Sequence, residues 1–447
     1  LAASPTYRER EFGDGFRPAE RYAAETNFAK YWLGERGQRG LLVEIASGSY
    51  SMVTLQNWYN YRDFATDPEL RRLAENLITL WWADCAHELL DGVRGGGKAR
   101  EGRGRGDDWS GHGGAAAVLS WYYFGVGQST SPHVGGYLPL LTSDYRLPDV
   151  IYELATDVAG RGSYVYESRR PGLAIPQYTF APQPQTERAL HQHFHWIDRE
   201  RGGILRTTYA TPDYILGCNM VDDVPAERWT AISASNRWAG AILRGHPDAR
   251  VFAQSDVDTP DRYGNARGAN EHGTLQDKQT LIWKKLHQSR NHLGTKIYFP
   301  ALLKPLEEKG VIFGQQGKAY VAARVASGGF KQAEAPWYKL DDEWAPVIIE
   351  LGSEAEHGSF EKFRASVHAA KLTRDGEALH YVRATDGRKL TVYLGSDRVG
   401  EVDGKAVNFE PAFTYRSPFM SGGWPAEIVT IQKGGRRLEL DFRIRGK

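Results

Sequence analysis

The chain has 447 residues, of which 41% are hydrophobic and 25% charged, and its formal net charge is +1. This is the composition of an ordinary globular protein with room for a large core and two or three domains. The near-zero charge argues against a nucleic-acid-binding protein with a broad basic field, and the apolar runs are far shorter than the roughly 20 residues of a membrane helix. The 13 Trp, 23 Tyr and 17 Phe suit either a large β-rich core or a surface that stacks on sugar rings.

The cysteine content and the first residues do not identify a compartment. Cys85 and Cys218 are too few and too far apart for a disulfide framework or a zinc knuckle, which favours two free buried thiols over one bridge. The start, "LAASPTYRER", contains neither an initiator Met nor a signal peptide. We expect either that a leader has been removed or that the chain is part of a longer precursor.

The first 155 residues have helical periodicity. Helices are predicted over 19–34, over 51–65, over 67–91 and over about 113–124. Asp67 supplies an N-cap and Pro68 occupies the first position of the third of these helices. The segment that follows it, "RGGGKAREGRGRGDDW", is predicted to be an irregular loop because it is so rich in glycine.

From about residue 160 the hydrophobic period changes from 3.6 to 2, which predicts β-strands. The strand candidates are "SYVYESR", "ALHQHFHWI", "GILRTTYATPDYILGCNM", "WTAISASNRWAGAIL", "TLIWKKL", "KIYFP", "AYVAARVA", "APVIIELG", "LHYVRA", "KLTVYLG", "EIVTIQKG" and "RLELDFRI". One helix, 359–371 with Ser359 as its cap, interrupts them. Strands without alternating helices imply antiparallel pairing. The sequence therefore predicts an α+β protein in which a helical domain, residues 1–155, precedes a large antiparallel β-sandwich, residues 156–447.

The helix within "ASGSYSMVTLQNWYNYRDFA" (residues 46–65) carries an unusual stripe. Tyr50, Thr54, Asn57 and Tyr61 follow each other at helical spacing and share one side of the helix. The stripe is polar but uncharged. Phenols and amides both donate and accept hydrogen bonds, as sugar hydroxyls require. The stripe therefore suggests contact with sugar, with Asn57 and Tyr61 as substrate-binding candidates; packing of the two tyrosines under the sandwich is the alternative.

Residues 44–108 resemble the last toroid helices of heparinase II/III-like and alginate-lyase-like polysaccharide lyases. The shared pattern is an acidic residue, a few small residues, a Tyr, two helices, an Asp-Gly pair and a Gly-Asp pair before the sandwich. In this chain these are Glu44, Tyr50, the helices 51–65 and 67–91, Asp91-Gly92 and Gly106-Asp107.

This resemblance implies an (α/α) toroid against an antiparallel sandwich, with acidic polysaccharides cut by β-elimination in the cleft between them. Tyr50 matches the tyrosine that protonates the departing glycosidic oxygen or takes the C5 proton. The family's Gly-His-x-x-Asp-like element is absent, and a whole toroid takes roughly ten to twelve helices, about 250–300 residues. We therefore expect a partial toroid, completed by helices N-terminal to Leu1 or by another subunit.

The histidine cluster "HQHFHW" places His191, His193 and His195 on one face of a predicted strand. Three interpretations remain open: an ordinary polar sheet face, a substrate-facing pair, or a Zn²⁺ site for two of the three histidines. We assign His193 as a catalytic candidate and His195 as a substrate-binding candidate.

The Gly/Arg-rich loop supplies two further sets of candidates. Arg100 and its basic neighbours can neutralise a uronate carboxylate, which makes the C5 proton removable. Asp107 and Asp108 are catalytic candidates, and in an inverting glycoside hydrolase they would be the general acid and base. A solvated loop without a function is the alternative.

Two predicted strands add polar aromatic and amide groups. Tyr209, Tyr214, Asn236 and Arg237 are substrate-binding candidates there, and Pro212 is expected to form a bulge between the two tyrosines.

Together these features predict a secreted or periplasmic polysaccharide lyase that acts on a uronate-containing glycan by β-elimination. A glycoside hydrolase of the same architecture and a non-catalytic glycan-binding protein are the alternatives. No cofactor, catalytic metal or nucleic acid is expected; a structural divalent cation can be accommodated.

Overall fold

The computed structural model describes residues 6–11, 13, 15–41, 46, 50–99, 115–127, 138–170, 204–223, 237–255, 272–287 and 294–444. Helices dominate up to residue 161. They are α1 (Pro18–Arg39), α2 (Tyr50–Phe64), α3 (Pro68–Ala86), α4 (Ala115–Phe124), α5 (Leu138–Thr142), α6 (Asp149–Thr156) and α7 (Val158–Arg161). Two further helices, α8 (Glu354–His357) and α9 (Phe360–Ala369), lie among the later strands. In none of these helices is there a segment with the length and apolarity needed to span a membrane.

The strands are short and numerous. They are β1 (Leu89–Leu90), β2 (Val93–Arg94), β3 (Lys98–Ala99), β4 (Tyr164–Arg170), β5 (Ile204–Ala210), β6 (Tyr214–Val221), β7 (Arg237–Trp238), β8 (Gly240–Leu243), β9 (Arg250–Ser255), β10 (His272–Asp277), β11 (Thr280–Lys285), β12 (Thr295–Tyr298), β13 (Leu306–Glu308), β14 (Val311–Gln316), β15 (Ala319–Val325), β16 (Phe330–Gln332), β17 (Trp337–Leu340), β18 (Val347–Ser353), β19 (Lys371–Asp375), β20 (Ala378–Val382), β21 (Lys389–Tyr393), β22 (Glu401–Val402), β23 (Lys405–Ala406), β24 (Phe413–Arg416), β25 (Met420–Gly423), β26 (Ile428–Lys433) and β27 (Arg436–Asp441).

A twelve-stranded sheet is the centre of the molecule. Its strand order is β16-β17-β12-β9-β8-β6-β5-β4-β24-β25-β26-β27. A six-stranded sheet, β10-β11-β18-β15-β14-β13, packs on one face of it through a shared apolar core, and a five-stranded sheet follows, β19-β20-β21-β22-β23. The strand pairs observed in the described ranges are antiparallel, so the α+β class with large antiparallel sheets is confirmed.

The helices cover the other face of the twelve-stranded sheet. α6 packs on β26 and β27, and α3 packs on β27. One continuous core contains residues of both layers, for example Leu33 and Trp81 from helices and Tyr166 and Ile431 from strands. Side chains also connect the layers, because Arg72 and Asn76 of α3 both donate to the backbone oxygen of Asp441. Helices and sheet thus pack as neighbouring layers.

α3 begins as predicted but ends earlier than residue 91. The Asp67 side chain accepts hydrogen bonds from the backbone N–H groups of Glu69 and Leu70, both at 2.9 Å, and Pro68 is the first helical residue. After Ala86 the chain turns into the β1–β2 hairpin, whose two-residue loop is Asp91-Gly92 with φ values of 49° and 85°. Asp-Gly is the dipeptide that favours such a tight turn, because both of its residues accept positive φ.

Three smaller predictions have clear outcomes. The helix predicted at 359–371 is α9, and the Ser359 side chain caps it by accepting from the backbone N–H of Lys362. The predicted bulge at Pro212 is wrong: residues 211–213 form the turn between β5 and β6, so one long predicted strand is a hairpin.

Cys85 and Cys218 are free and buried, as predicted, and burial raises the pKa of both thiols to about 12.

His87, directly after α3, gives the fold a pH-dependent element. Its Nδ1–H donates to the Ala83 oxygen at 2.6 Å, and its Nε2 accepts from the Ser417 hydroxyl at 2.8 Å. Burial lowers the pKa of this imidazole to about 4 from its usual 6.5. Between pH 6.5 and pH 4 the unfolded chain therefore binds a proton that the folded protein does not, so acidification over this range favours unfolding.

We expect His87 to account for a loss of about 3 kcal/mol in the free energy of unfolding between about pH 7 and about pH 4. Urea titrations of the wild type and of His87→Gln at both pH values measure this difference. The exposed His246 provides the control, and His246→Gln should keep the wild-type pH dependence. Equal acid sensitivity in the wild type and His87→Gln would contradict the assignment.

Candidate functional site

A run of glycines crosses the helix-facing side of the twelve-stranded sheet as bare backbone. A Cβ on Gly95 would lie 2.7 Å from a methyl carbon of Ile215, and a Cβ on Gly97 would overlap the backbone of Cys218 and Asn219. Gly96 fits equally closely against Glu88. The segment Gly95–Gly97, here called the strap, therefore requires glycine for close packing. The strap itself is irregular, as predicted, but the predicted irregular loop is wrong for Arg94 and Lys98–Ala99, which belong to β2 and β3.

A buried ion cluster fixes the strap to the end of α3. Asp84 and Glu88 face three arginines, with Arg94 at 2.6 Å from Asp84 and 3.1 Å from Glu88. Arg170 also pairs with Asp84, and Arg206 pairs with both carboxylates. All five residues are at most 3% exposed.

The arginines keep Asp84 ionised. Burial alone would raise the pKa of its carboxyl group, but the charges of Arg170, Arg206 and Arg94 outweigh burial and hold the pKa well below its usual range. Arg206 also donates from Nε to the backbone oxygen of Gly97 at 2.8 Å. A permanently ionised, arginine-bound carboxylate cannot act as a general acid, so we assign the cluster a structural role: it positions the strap.

Beyond the strap, β3 presents Lys98 to a set of aromatic rings. The Lys98 ammonium lies 4.6 Å from the ring centroid of Trp238, with which it pairs across β3 and β7. Trp238 contacts Phe252 at 5.8 Å between centroids, and Phe252 stacks on Tyr298 at 4.9 Å. These three rings belong to the core that the sheet shares with the helices, so the set is continuous with that core.

The set ends in a partly exposed pair. Trp337 lies 5.7 Å from Phe252 and 5.2 Å from Tyr298, and the Lys296 ammonium lies 4.4 Å from the Trp337 centroid. Both Trp337 and Lys296 are half-buried, whereas the other rings are buried. We call the whole set the aromatic–basic face, and its members are Lys98, Trp238, Phe252, Lys296, Tyr298 and Trp337.

Two buried amides share this side of the sheet. Gln254 lies directly opposite Lys296 in the sheet, and Asn219 lies on β6 against the strap. Within the described part of the chain, the side-chain nitrogen and oxygen of both amides have no hydrogen-bond partner. A buried polar group without a partner costs roughly 1–3 kcal/mol, so ordered water or a ligand is the expected partner.

The strand ends place these residues close to one boundary of the sheet. β4 ends at Arg170, opposite Ile204 at the start of β5, which is opposite Val221 at the end of β6. Farther across the sheet, Ser255 at the end of β9 is opposite Thr295 at the start of β12. Because the strands between them are antiparallel neighbours, all these ends lie on the same side, which we call the rim.

Six of the predicted site residues lie outside the described ranges: Arg100, Asp107, Asp108, His193, His195 and Asn236. They belong to the segments 100–114, 171–203 and 224–236. The described residues that precede these segments are Ala99, Arg170 and Asp223, and each of them lies at or next to the rim. The topology thus brings the starting points of the three segments to one side of the sheet.

The remaining candidates are dispersed. Asn57 and Tyr61 lie on the exposed side of α2, opposite Leu55, Trp58 and Tyr59, which are buried. Tyr50 is the first residue of α2, and its side chain is outside the description. Asn57 and Tyr61 are therefore not part of the aromatic–basic face.

Tyr209 and Tyr214 lie at the end of β5 and β6 that is remote from the rim. Their rings are 6.1 Å apart, and the Tyr214 hydroxyl donates to the Glu356 carboxylate at 3.0 Å. Burial and the neighbouring Glu356 raise the pKa of both phenols. These contacts fasten the hairpin to α8. Arg237, in contrast, is buried at the rim, where it donates to the backbone oxygens of Asn219 and His272.

Among the described residues, no group of three His, Cys, Asp or Glu side chains is arranged to hold a metal ion. Comparison of the chain with protein-family models, with curated proteins and with solved structures gave no match. The chemistry of the aromatic–basic face and the rim is therefore the basis for a functional assignment.

Proposed function

We propose that this protein is a carbohydrate-active enzyme that binds an anionic glycan at the partly exposed end of the aromatic–basic face and cleaves a uronate-containing polysaccharide by β-elimination. The observation that carries the proposal is the combination of aromatic rings, lysines and partnerless amides near the rim in the described part of the chain. Each group suits one part of a uronate: a ring face stacks on the apolar side of the sugar, an ammonium attracts the carboxylate, and an amide bonds to hydroxyls.

Elimination also requires a base for the C5 proton and an acid for the leaving oxygen. Tyr50 and His193 are our candidates, supported by the family resemblance of residues 44–108. α2 and α3 form an antiparallel hairpin with a short turn, and they are 15 and 19 residues long. The N-terminal end of α2 therefore lies near the C-terminal end of α3, where Asp84 and Glu88 hold the strap.

The same resemblance supports a finer account of the helical layer. In this account α1–α7 are the last helices of an (α/α) toroid, and the substrate cleft runs between them and the twelve-stranded sheet. A hydrolase would need a carboxylate pair, for which Asp107 and Asp108 are the candidates; Asp84 and Glu88 are unsuited because they are buried among arginines.

The test is incubation of the protein with a panel of uronate-containing, sulfated and neutral polysaccharides. A lyase leaves an unsaturated uronate that absorbs in the near ultraviolet, and a hydrolase does not. Turnover without this absorbance would favour the hydrolase, and binding without turnover would favour a glycan-binding protein. Lack of both binding and turnover on every anionic glycan would contradict the proposal.

Trp337→Ala tests the binding role of the face. Loss of one stacking ring should lower kcat/KM by about 5- to 10-fold, mainly through KM, which corresponds to roughly 1–1.4 kcal/mol. Trp344 is the matched control, because it is also a partly exposed tryptophan but lies in the β17–β18 loop. Equal effects of Trp337→Ala and Trp344→Ala would exclude a specific role for Trp337.

A further inference from the structure

The outer strands of the twelve-stranded sheet carry a row of three lysines. Lys296 of β12 is directly opposite Lys339 of β17, which is directly opposite Lys331 of β16. Residues that oppose each other in an antiparallel sheet point to the same face. Lys296 belongs to the aromatic–basic face, so the row continues that face outward to β16, the edge strand.

Like charges placed directly opposite each other across strands repel, and an anion that lies between them reduces this repulsion. Lys339 and Lys331 are exposed and Lys296 is half-buried. The row therefore places three ammonium groups side by side on a face that is open to solvent at its outer end. This arrangement suits an anionic partner that lies across the strands.

We propose that Lys296, Lys339 and Lys331 form an outer binding row that selects long anionic glycan chains over short ones. This inference rests on the proposed glycan-binding function and specifies its substrate: a polymer with a negative charge on successive sugars. Neighbouring strands are about 4.8 Å apart, so the row extends the face by roughly 10 Å beyond β12. A chain of a few sugars can occupy the partly exposed pair Trp337 and Lys296 alone, whereas a longer chain also reaches Lys339 and Lys331.

The experiment measures binding rather than turnover, so that it is independent of the chemistry. Four probes are titrated at low salt: polygalacturonate, trigalacturonate, dextran sulfate and neutral dextran. Dextran sulfate contains no uronate and cannot undergo the proposed elimination. The variant replaces Lys339 and Lys331, the two lysines of the row that lie outside the aromatic–basic face, with glutamine. The control replaces two exposed lysines in the turns on either side of β14, Lys309 and Lys318, with glutamine.

We expect the row variant to bind polygalacturonate and dextran sulfate about tenfold more weakly, with a shallower salt dependence, since exposed ion pairs each contribute modestly and are screened by salt. Its affinity for trigalacturonate should change less than about twofold, and the control should match the wild type. Two results would overturn the proposed binding row. One is a row variant that loses as much affinity for trigalacturonate as for the long polyanions, and the other is a control variant that loses as much affinity as the row variant.

Failure of the proposed function has a different outcome. If the wild type cleaves no uronate glycan but the row variant still loses affinity for both long polyanions, the proposed binding row is supported and the proposed lyase activity is contradicted. If the wild type cleaves polygalacturonate and the row variant binds every probe as the wild type does, the proposed lyase activity is supported and the proposed binding row is contradicted.

Discussion

Asp84→Ala should lower the free energy of unfolding by about 3–5 kcal/mol, the usual result of leaving buried charges without their partner. Three arginines contact this carboxylate, and all three are buried away from water that could replace it. Urea unfolding at neutral pH measures the change. The exposed Asp375 is the control, and Asp375→Ala should stay within about 0.5 kcal/mol of the wild type.

The same substitution should also affect glycan binding, because Arg206 connects the cluster to the Gly97 oxygen and hence to the position of Lys98. Where Asp84→Ala does not fold, Asp84→Asn keeps the shape of the side chain and removes only its charge. A change below about 1 kcal/mol in both variants would show that the cluster does not hold α3 on the sheet.

Tyr50→Phe should reduce turnover by about 10²-fold or more, as is usual when a positioned acid or base is lost. Folding should survive, because one lost hydrogen bond costs no more than roughly 1–2 kcal/mol. The measurement is kcat on the best uronate substrate, together with a thermal melt. Tyr122 is exposed on α4 and is the control: Tyr122→Phe should keep wild-type turnover.

Near-normal activity of Tyr50→Phe would show that Tyr50 only packs. Asp107 and Asp108, with the hydrolase mechanism, would then become the leading candidates.

Much of the fold follows from periodicity and from capping residues. The change of period near residue 160 matches the passage from α7 to β4, although the short strands β1–β3 lie before it, and Asp67 and Ser359 mark the starts of α3 and α9. Strands such as β9 and β14 escape prediction because their residues do not alternate between apolar and polar. Both faces of each of these strands are buried. The two large apolar cores cover β9, and the twelve-stranded sheet and α9 cover β14. Apolar residues are therefore needed on both faces, and the sequence does not alternate.

The site is harder to predict than the fold. Trp238, Gln254, Lys296 and Trp337 are far apart in sequence and carry no motif; only the sheet register makes them neighbours. The strap could have been recognised, because "GGGK" after an Asp-Gly turn signals backbone that packs closely on another element. Tyr209 has the residue type expected of a sugar site, yet the hairpin turn at 211–213 places it at the opposite end of the strands.

Mass analysis of the products from a uronate polysaccharide is the most direct test of the central claim. β-Elimination divides the chain without adding water, so the two products together have the mass of the substrate, and one of them carries an unsaturated uronate. Hydrolysis adds one water across the same bond. The account predicts products without added water and with near-ultraviolet absorbance; products that contain the added water, or an intact substrate after prolonged incubation, would contradict it.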